Sequence, residues 1–171
     1  MKTSLSILIF FSALQLFGQT EYAYETFDDT RIINGHSVET NTEGILTFII
    51  SHRFGKTNDD PNSLWGLDNA QMRMGLQYGV TNNLMIGLGR NSVDKTIDGF
   101  VKYKFLSQSA GAINMPVTMT LLGYCAIQPQ LEDNPVVVYS LGQKLSYTTQ
   151  LIIGRKFSDR VSFQVMPTYL H

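Results

Sequence analysis

The sequence predicts an all-β chain, an antiparallel up-and-down barrel that crosses a membrane with its strands. Three observations carry that reading. Apolar and polar residues alternate with period two along most of the chain, a short apolar leader heads it, and charged residues make up only 16% of its 171 residues. Period-two alternation sends successive side chains to opposite faces of a strand, whereas a helix of 3.6 residues per turn would scatter both sets. Average soluble domains carry about 25% charge. A membrane barrel keeps half of every strand polar and half apolar, so its hydrophobic content stays ordinary, here 43%.

The leader comes first. Lys2 is a short positive head, residues 5–17 (LSILIFFSALQLF) are apolar, and Gly18 is a small residue at a cleavage position that leaves Gln19 as the mature start. This is the layout of a secretory signal peptide over residues 1–18. The apolar stretch is shorter than the roughly 20 residues a membrane helix needs. An exported chain with the single cysteine Cys125 has no intrachain disulfide framework. No cysteine follows the leader to take a lipid anchor. A formal net charge of -1 argues against a nucleic-acid partner, which calls for a basic excess.

Residues 19–40 form an acidic lead-in, with Glu25, Asp28, Asp29 and Glu39. Asn34-Gly35 between Ile32-Ile33 and Ser37-Val38 is a type I′ turn signal. The segment reads as a periplasmic lead-in, a small hairpin, or a plug inside the barrel.

Residues 41–171 carry the strands, about seven of them. Stretches near 44–54 and 117–126 alternate less cleanly than the rest. In 70–78, Ala70, Met72, Met74, Leu76 and Tyr78 alternate with Gln71, Arg73, Gly75 and Gln77. After the turn 79–83, Leu84, Ile86 and Leu88 oppose Gly87 and Gly89. Next, Ile97, Val101, Tyr103 and Phe105 oppose Asp98, Lys102 and Lys104. Leu145, Tyr147, Leu151 and Ile153 oppose Lys144, Ser146, Thr148 and Gln150. Finally Val161, Phe163, Val165 and Tyr169 oppose Ser162, Gln164 and Thr168. Several strands approach the about 9–11 residues that span a tilted bilayer crossing. Connections alternate as well: 55–69 and 128–135 are long, 79–83 and 157–160 are tight, 91–96 is intermediate, and 107–114 is moderately short. Long outer loops and short periplasmic turns are the barrel rule. No apolar run beyond the leader reaches helix-spanning length, and strands can cross only as a closed barrel. His171 falls inside what reads as a strand, and seven is odd where bacterial barrels are even. The expectation is therefore an incomplete barrel, an N-terminal portion truncated at its C-terminus.

Alternation alone does not say which face points inward. A soluble periplasmic β-barrel that binds an apolar ligand would show the same pattern with its apolar face inside. Tyr78, Tyr103, Phe105, Tyr147, Phe157 and Tyr169 fall near strand ends, as interfacial girdles do. That placement favours the outer membrane of a Gram-negative bacterium.

Several phrases also look familiar together: YETFDDTRIINGHSVET at 24–40, SHRFG at 51–55, WGLDNA at 65–70, DGFVKYK at 98–104 and PTY at 167–169. They resemble an uncharacterised family of bacterial outer-membrane β-barrel proteins that carries a domain-of-unknown-function label. The resemblance covers residues 22–171. It implies a barrel at the outer membrane and brings no assigned activity or catalytic residues.

The polar face holds the candidate chemistry. With apolar residues toward lipid, Arg53, Arg73, Lys102, Lys104 and Lys144 point into the lumen, with Asp98 as the main acid beside them. A basic lumen favours small anionic solutes in a pore or binding barrel. The same charges could instead pair with acids of residues 22–40 or of further strands, because small barrels fill their interiors with side chains. His36, His52 and His171 are weak metal or haem candidates, because none has H-x-x-x-H spacing. Ser51 and His52 are adjacent in an extended stretch and point to opposite faces, so they cannot form a hydrolase pair. Gly87-Leu88-Gly89 lacks the strand–loop–helix context of a nucleotide loop. Ser146, Ser162 and Thr168 share the polar face and leave a barrel-embedded hydrolase open, though nothing selects one of them. The expectation is no enzyme and no cofactor, with outer-membrane lipid and the barrel-assembly machinery as partners.

Overall fold

A computed structural model of the protein describes residues 19–55, 71–92, 95–129 and 139–171. The leader, Trp65 and most of both long loops lie outside the described residues. The strands are β1 (Thr20–Tyr22), β2 (Arg31–Ile32), β3 (Gly35–His36), β4 (Leu46–Arg53), β5 (Gln71–Thr81) and β6 (Leu84–Asn91). They continue as β7 (Ile97–Leu106), β8 (Ser109–Gly111), β9 (Thr118–Ile127), β10 (Leu145–Ser158), β11 (Val161–Val165) and β12 (Thr168–Leu170), with one short helix, α1 (Leu141–Lys144), before β10. The fold class is all-β and antiparallel, as the alternation predicts.

The main sheet has the order β11-β10-β9-β7-β6-β5-β4, with β12 also paired to β10. Every neighbour in this path follows in the chain once β8 is set aside, which is the up-and-down connection of a meander. β8 lies in the connection between β7 and β9 and pairs with β1 instead. The expected small-residue loop at 107–114 therefore contains a strand.

Register follows from the two-residue period, since a slip of one would send each apolar set to the other face. Phe48 lies opposite Leu76, and Ile50 opposite Met74. Leu76 lies opposite Leu88, and Tyr78 opposite Ile86. Ile86 lies opposite Val101. The β5–β6 turn is Asn82 and Asn83, closed by Thr81, whose Oγ1 accepts from the N–H of Leu84 at 3.0 Å. Register shifts sit beside this turn and beside the β10–β11 turn, where a bulge sharpens strand twist.

Three local expectations need correction. The final strand, read as continuous over 161–169, is interrupted between β11 and β12 at Met166 and Pro167. Pro167 has no N–H for a ladder, but its carbonyl accepts from the N–H of Leu151 at 3.1 Å, so the segment stays along β10. Lys144 closes α1 rather than opening a strand; the helix begins after Ser140, whose N–H donates to Gln143 Oε1 at 2.9 Å. The β2–β3 hairpin turns at Ile33 and Asn34, one residue before the expected Asn34-Gly35, because Arg31 pairs with His36 and Ile32 with Gly35. That register gives Ile33 a φ of 52°, a left-handed conformation costly for a β-branched residue. In exchange the ladder continues from Ser37 N–H to Thr30 O at 3.0 Å, and Ser37 and Val38 are fully buried.

The chain divides into two compact units, one of Met1–Glu39, Lys104–Thr120 and Ile152–Met166, the other of Thr40–Tyr103, Leu121–Leu151 and Pro167–His171. In the first, the acidic lead-in packs on strand segments through Val38. In the second, Asn41 and Thr42 cross β5 at Gly79. A Cβ at that glycine would stand 2.8 Å from the carbonyl oxygen of Asn41, so only glycine admits the crossing chain. Asn41 Nδ2 donates to Thr47 Oγ1 at 3.0 Å, and Thr40 Oγ1 donates to the carbonyl of Asn82 at 2.8 Å.

Burial distinguishes the two faces. Met85, Phe100, Leu122, Ala126 and Ile152 are buried with Gln77, Asp98, Lys102 and Thr120 on one face of their strands. On the other, Leu46, Phe48, Ile50, Leu76, Leu88, Val101, Phe157 and Phe163 are exposed. Leu88 is 67% exposed and Phe163 62%. Apolar exposure on this scale marks a face that meets something other than water.

Candidate functional site on the polar face

The polar face is built by strand parity, and each unit holds a charged cluster. In the second unit, Arg73 on β5 reaches past β6 to Asp98 on β7. Its Nε donates to Asp98 Oδ2 at 2.9 Å and its Nη2 to Asp98 Oδ1, a bidentate pair. The side chains are 17% and 3% exposed. Gly89 makes the pairing possible. It lies opposite Asp98 and next to Arg73 across the ladder, and a Cβ there would stand 2.9 Å from Asp98 Oδ2. The strand glycines that resembled part of a nucleotide loop thus serve a steric purpose, and Gly87 likewise underlies the Phe100 ring. Lys102, four residues from Asp98 on the same face, is fully buried.

In the first unit, Lys104 on β7 donates to Glu39 Oε2 at 3.1 Å, while Glu39 Oε1 accepts from the N–H of Thr26 at 2.9 Å. Lys156 on β10 donates through Nζ to the carbonyl of Tyr24 at 2.9 Å, and its backbone is clamped by both ends of the Gln108 amide. Glu25 accepts a hydrogen bond from the exposed Tyr24 phenol, and its charge adds to the effect, raising that phenol above its ordinary value.

Of the basic residues singled out from sequence, Arg73, Lys102 and Lys104 lie at the inward positions of their strands. Arg53 has the same parity at the end of β4 and is exposed. Lys144 is half-buried at the end of α1. The histidines are scattered. His36 is buried in β3, and its carbonyl accepts from Gln164 Nε2 at 2.9 Å. His52 faces the apolar side, edge-on to Phe54 with ring centres 4.7 Å apart. His171 is exposed, and its backbone pairs with Tyr147. Among the described residues, no three His, Cys, Asp or Glu side chains gather as a metal centre requires. The alternation places Gln164 on the polar face, and Glu39 is among the acids open to pairing, but Lys156 was missed. Continuing the alternation of Thr148 and Gln150 through Ile152 and Gly154 would have reached Lys156. No local pattern says which partners Glu39 and Gln164 would meet.

The apolar face of the second unit has a depression of about 840 Å³. Gly99, Gly123 and Cys125, small residues at outward positions, line it together with the larger Leu46, Leu88 and Tyr147.

Neither a curated protein nor a solved structure matches the chain. A family match does cover residues 27–171, and the face assignment derived from the strands agrees with its description. The chain belongs to the family described as the membrane bound beta barrel domain, DUF5777.

Proposed function

We propose that the chain is an outer-membrane β-barrel of a Gram-negative bacterium, exported by a cleavable leader, whose basic lumen binds or passes small anionic solutes. The observation that carries it is the separation of the two faces. The apolar set is exposed, and the opposite face bears Arg53, Arg73, Lys102, Lys104 and Lys156, with Arg73 paired to Asp98, Lys104 to Glu39 and Lys156 to Asp159. Basic groups lining a low-dielectric channel raise the local concentration of anions. Membership in a membrane bound family favours this reading over a soluble periplasmic barrel, in which the same apolar surface would enclose a ligand.

The test has two stages. The full-length protein, expressed with its leader, should fractionate with the outer membrane and migrate differently before and after boiling. Reconstituted in a planar bilayer under a salt gradient, it should give a reversal potential of anion-preferring sign. A cation-preferring sign would sink the solute assignment, and recovery in the soluble periplasm would sink the location.

A further inference from the structure

Residues 24–39 are gripped by the polar face far more thoroughly than a connecting segment needs. Val38 is fully buried, and both its backbone groups are held by strand side chains. Its N–H donates to Gln164 Oε1 on β11 at 2.9 Å, and its carbonyl accepts from Thr120 Oγ1 on β9 at 2.8 Å. The Gln164 amide also donates to the carbonyl of His36, so one side chain holds two points of the segment. Gly154 on β10 leaves the space Val38 fills, since a Cβ at that position would stand 2.8 Å from Val38 Cγ1. Glu39 is held by Lys104 on β7, and Tyr24 by Lys156 on β10. Four strands, β7, β9, β10 and β11, therefore each present a side chain or a gap to it from the face opposite the apolar one.

We infer that residues 24–39 are a built-in plug, latched to the lumen wall by Glu39–Lys104 and by the Gln164 clamp, and that lifting it opens the barrel. The inference rests on the barrel reading above, in which the face opposite lipid is the lumen. The latch is polar. Apart from Val38 in the Gly154 gap and Gly35 against the Met166 side chain, the contacts named above are hydrogen bonds and one ion pair, which water and salt replace more readily than they replace a buried apolar core. Such a segment can detach while the strands keep their ladder.

The test uses the full-length protein with Cys125→Ser, so that a new cysteine is the sole reporter. Val38→Cys should react slowly with a water-soluble maleimide. Adding Glu39→Gln or Gln164→Ala should speed labelling by about tenfold or more, as loss of a charge-assisted or clamping contact implies. The same two substitutions should raise single-channel conductance. The pair Val38→Cys with Gly154→Cys supplies the opposite perturbation. A Cβ at position 154 lies 3.5 Å from Val38 Cβ, within the about 3.5–4.5 Å a disulfide spans. Oxidation should hold conductance low even with Glu39→Gln present, and a reducing agent should release it. Fast labelling of Val38→Cys in the otherwise unaltered chain would overturn the plug. So would a labelling rate indifferent to the latch substitutions, or unchanged conductance once the segment lifts. A current that rises on unlatching but prefers cations would overturn the anion assignment and support the plug.

Discussion

Leu88→Arg asks directly which face meets lipid. Leu88 lies near the middle of β6, opposite Leu76 on one side and Gly99 on the other, and is 67% exposed. The strand has 8 residues; at about 3.3 Å per residue and about 45° tilt they cover roughly 19 Å along the bilayer normal. Position 88 therefore falls within a few ångströms of their midpoint. An arginine on the lipid face of a membrane barrel costs about 2–4 kcal/mol at the midplane. Arg90, two residues on and also exposed, shows that this face accepts a guanidinium nearer the strand end. A long stem can carry the charge that way, so the lower half of the range, about 2–3 kcal/mol, is expected. Leu88→Ala removes the same side chain without adding charge, and the difference between the two variants isolates the cost of the arginine. The assay is urea unfolding in lipid vesicles, with the unboiled gel band reporting the folded fraction and the midpoint shift giving the free energy. If the two variants agree within about 0.5 kcal/mol, as at an ordinary water-facing position, the face assignment is wrong.

Three further outcomes follow from the same geometry. Asp98→Asn leaves the Arg73 guanidinium without its carboxylate and should destabilise by about 3 kcal/mol, the low end for a buried pair because Arg73 keeps some solvent contact; adding Arg73→Met should recover most of that loss in a double-mutant cycle. Ile33→Asn relieves a left-handed backbone at an exposed turn, so hydrogen exchange at the Ser37 amide should slow by an amount equivalent to about 1 kcal/mol, and unchanged exchange would mean that the turn is not strained. Cys125 occupies an outward position of β9, so in vesicles a lipid-soluble maleimide should label it while a water-soluble one does not; the reverse preference would put that strand the other way round.

Side-chain parity was the legible part of this fold, and the reason is geometric. A pleated strand alternates its faces with period two whatever its neighbours do. Ala70 to Tyr78 as residue types therefore announce both faces of β5, and Ile97 to Phe105 those of β7. Strand ends were less legible because tertiary contacts decide them. Lys144 continues the alternation of Ser146 and Thr148, yet Ser140 and Gln143 close a helical turn that takes it out of the strand. Asn34-Gly35 is the stronger local turn signal, but the hairpin turns one residue earlier, in the register that buries Val38. β1 and β8 are three residues each. They have too few positions to display a period, and they exist because each finds the other across the chain.

The charged cluster shows the same boundary between local and distant information, and it changes what the lumen should do. Read singly, Arg73, Lys102 and Lys104 look like a row of anion attractors. The partner of Arg73 lies 25 residues away, however, and that of Lys104 lies 65 residues away. No local pattern announces either, since pairing across β6 depends on register and on the absence of a side chain at Gly89. Each pair cancels its own field at short range, so the five basic groups do not act as five. Lys156 also has Asp159 at 3.7 Å, and the lead-in brings Glu25, Asp28 and Asp29 into the same balance. The net field a passing solute meets is therefore small, and part of it comes from Arg53, exposed at a strand end. Charge at an exposed end is screened over about 8 Å at physiological salt. Anion preference in this barrel should accordingly be modest, strongest at low ionic strength, and greater when Glu39 is neutralised, because that change removes an acid and lifts the segment that carries it.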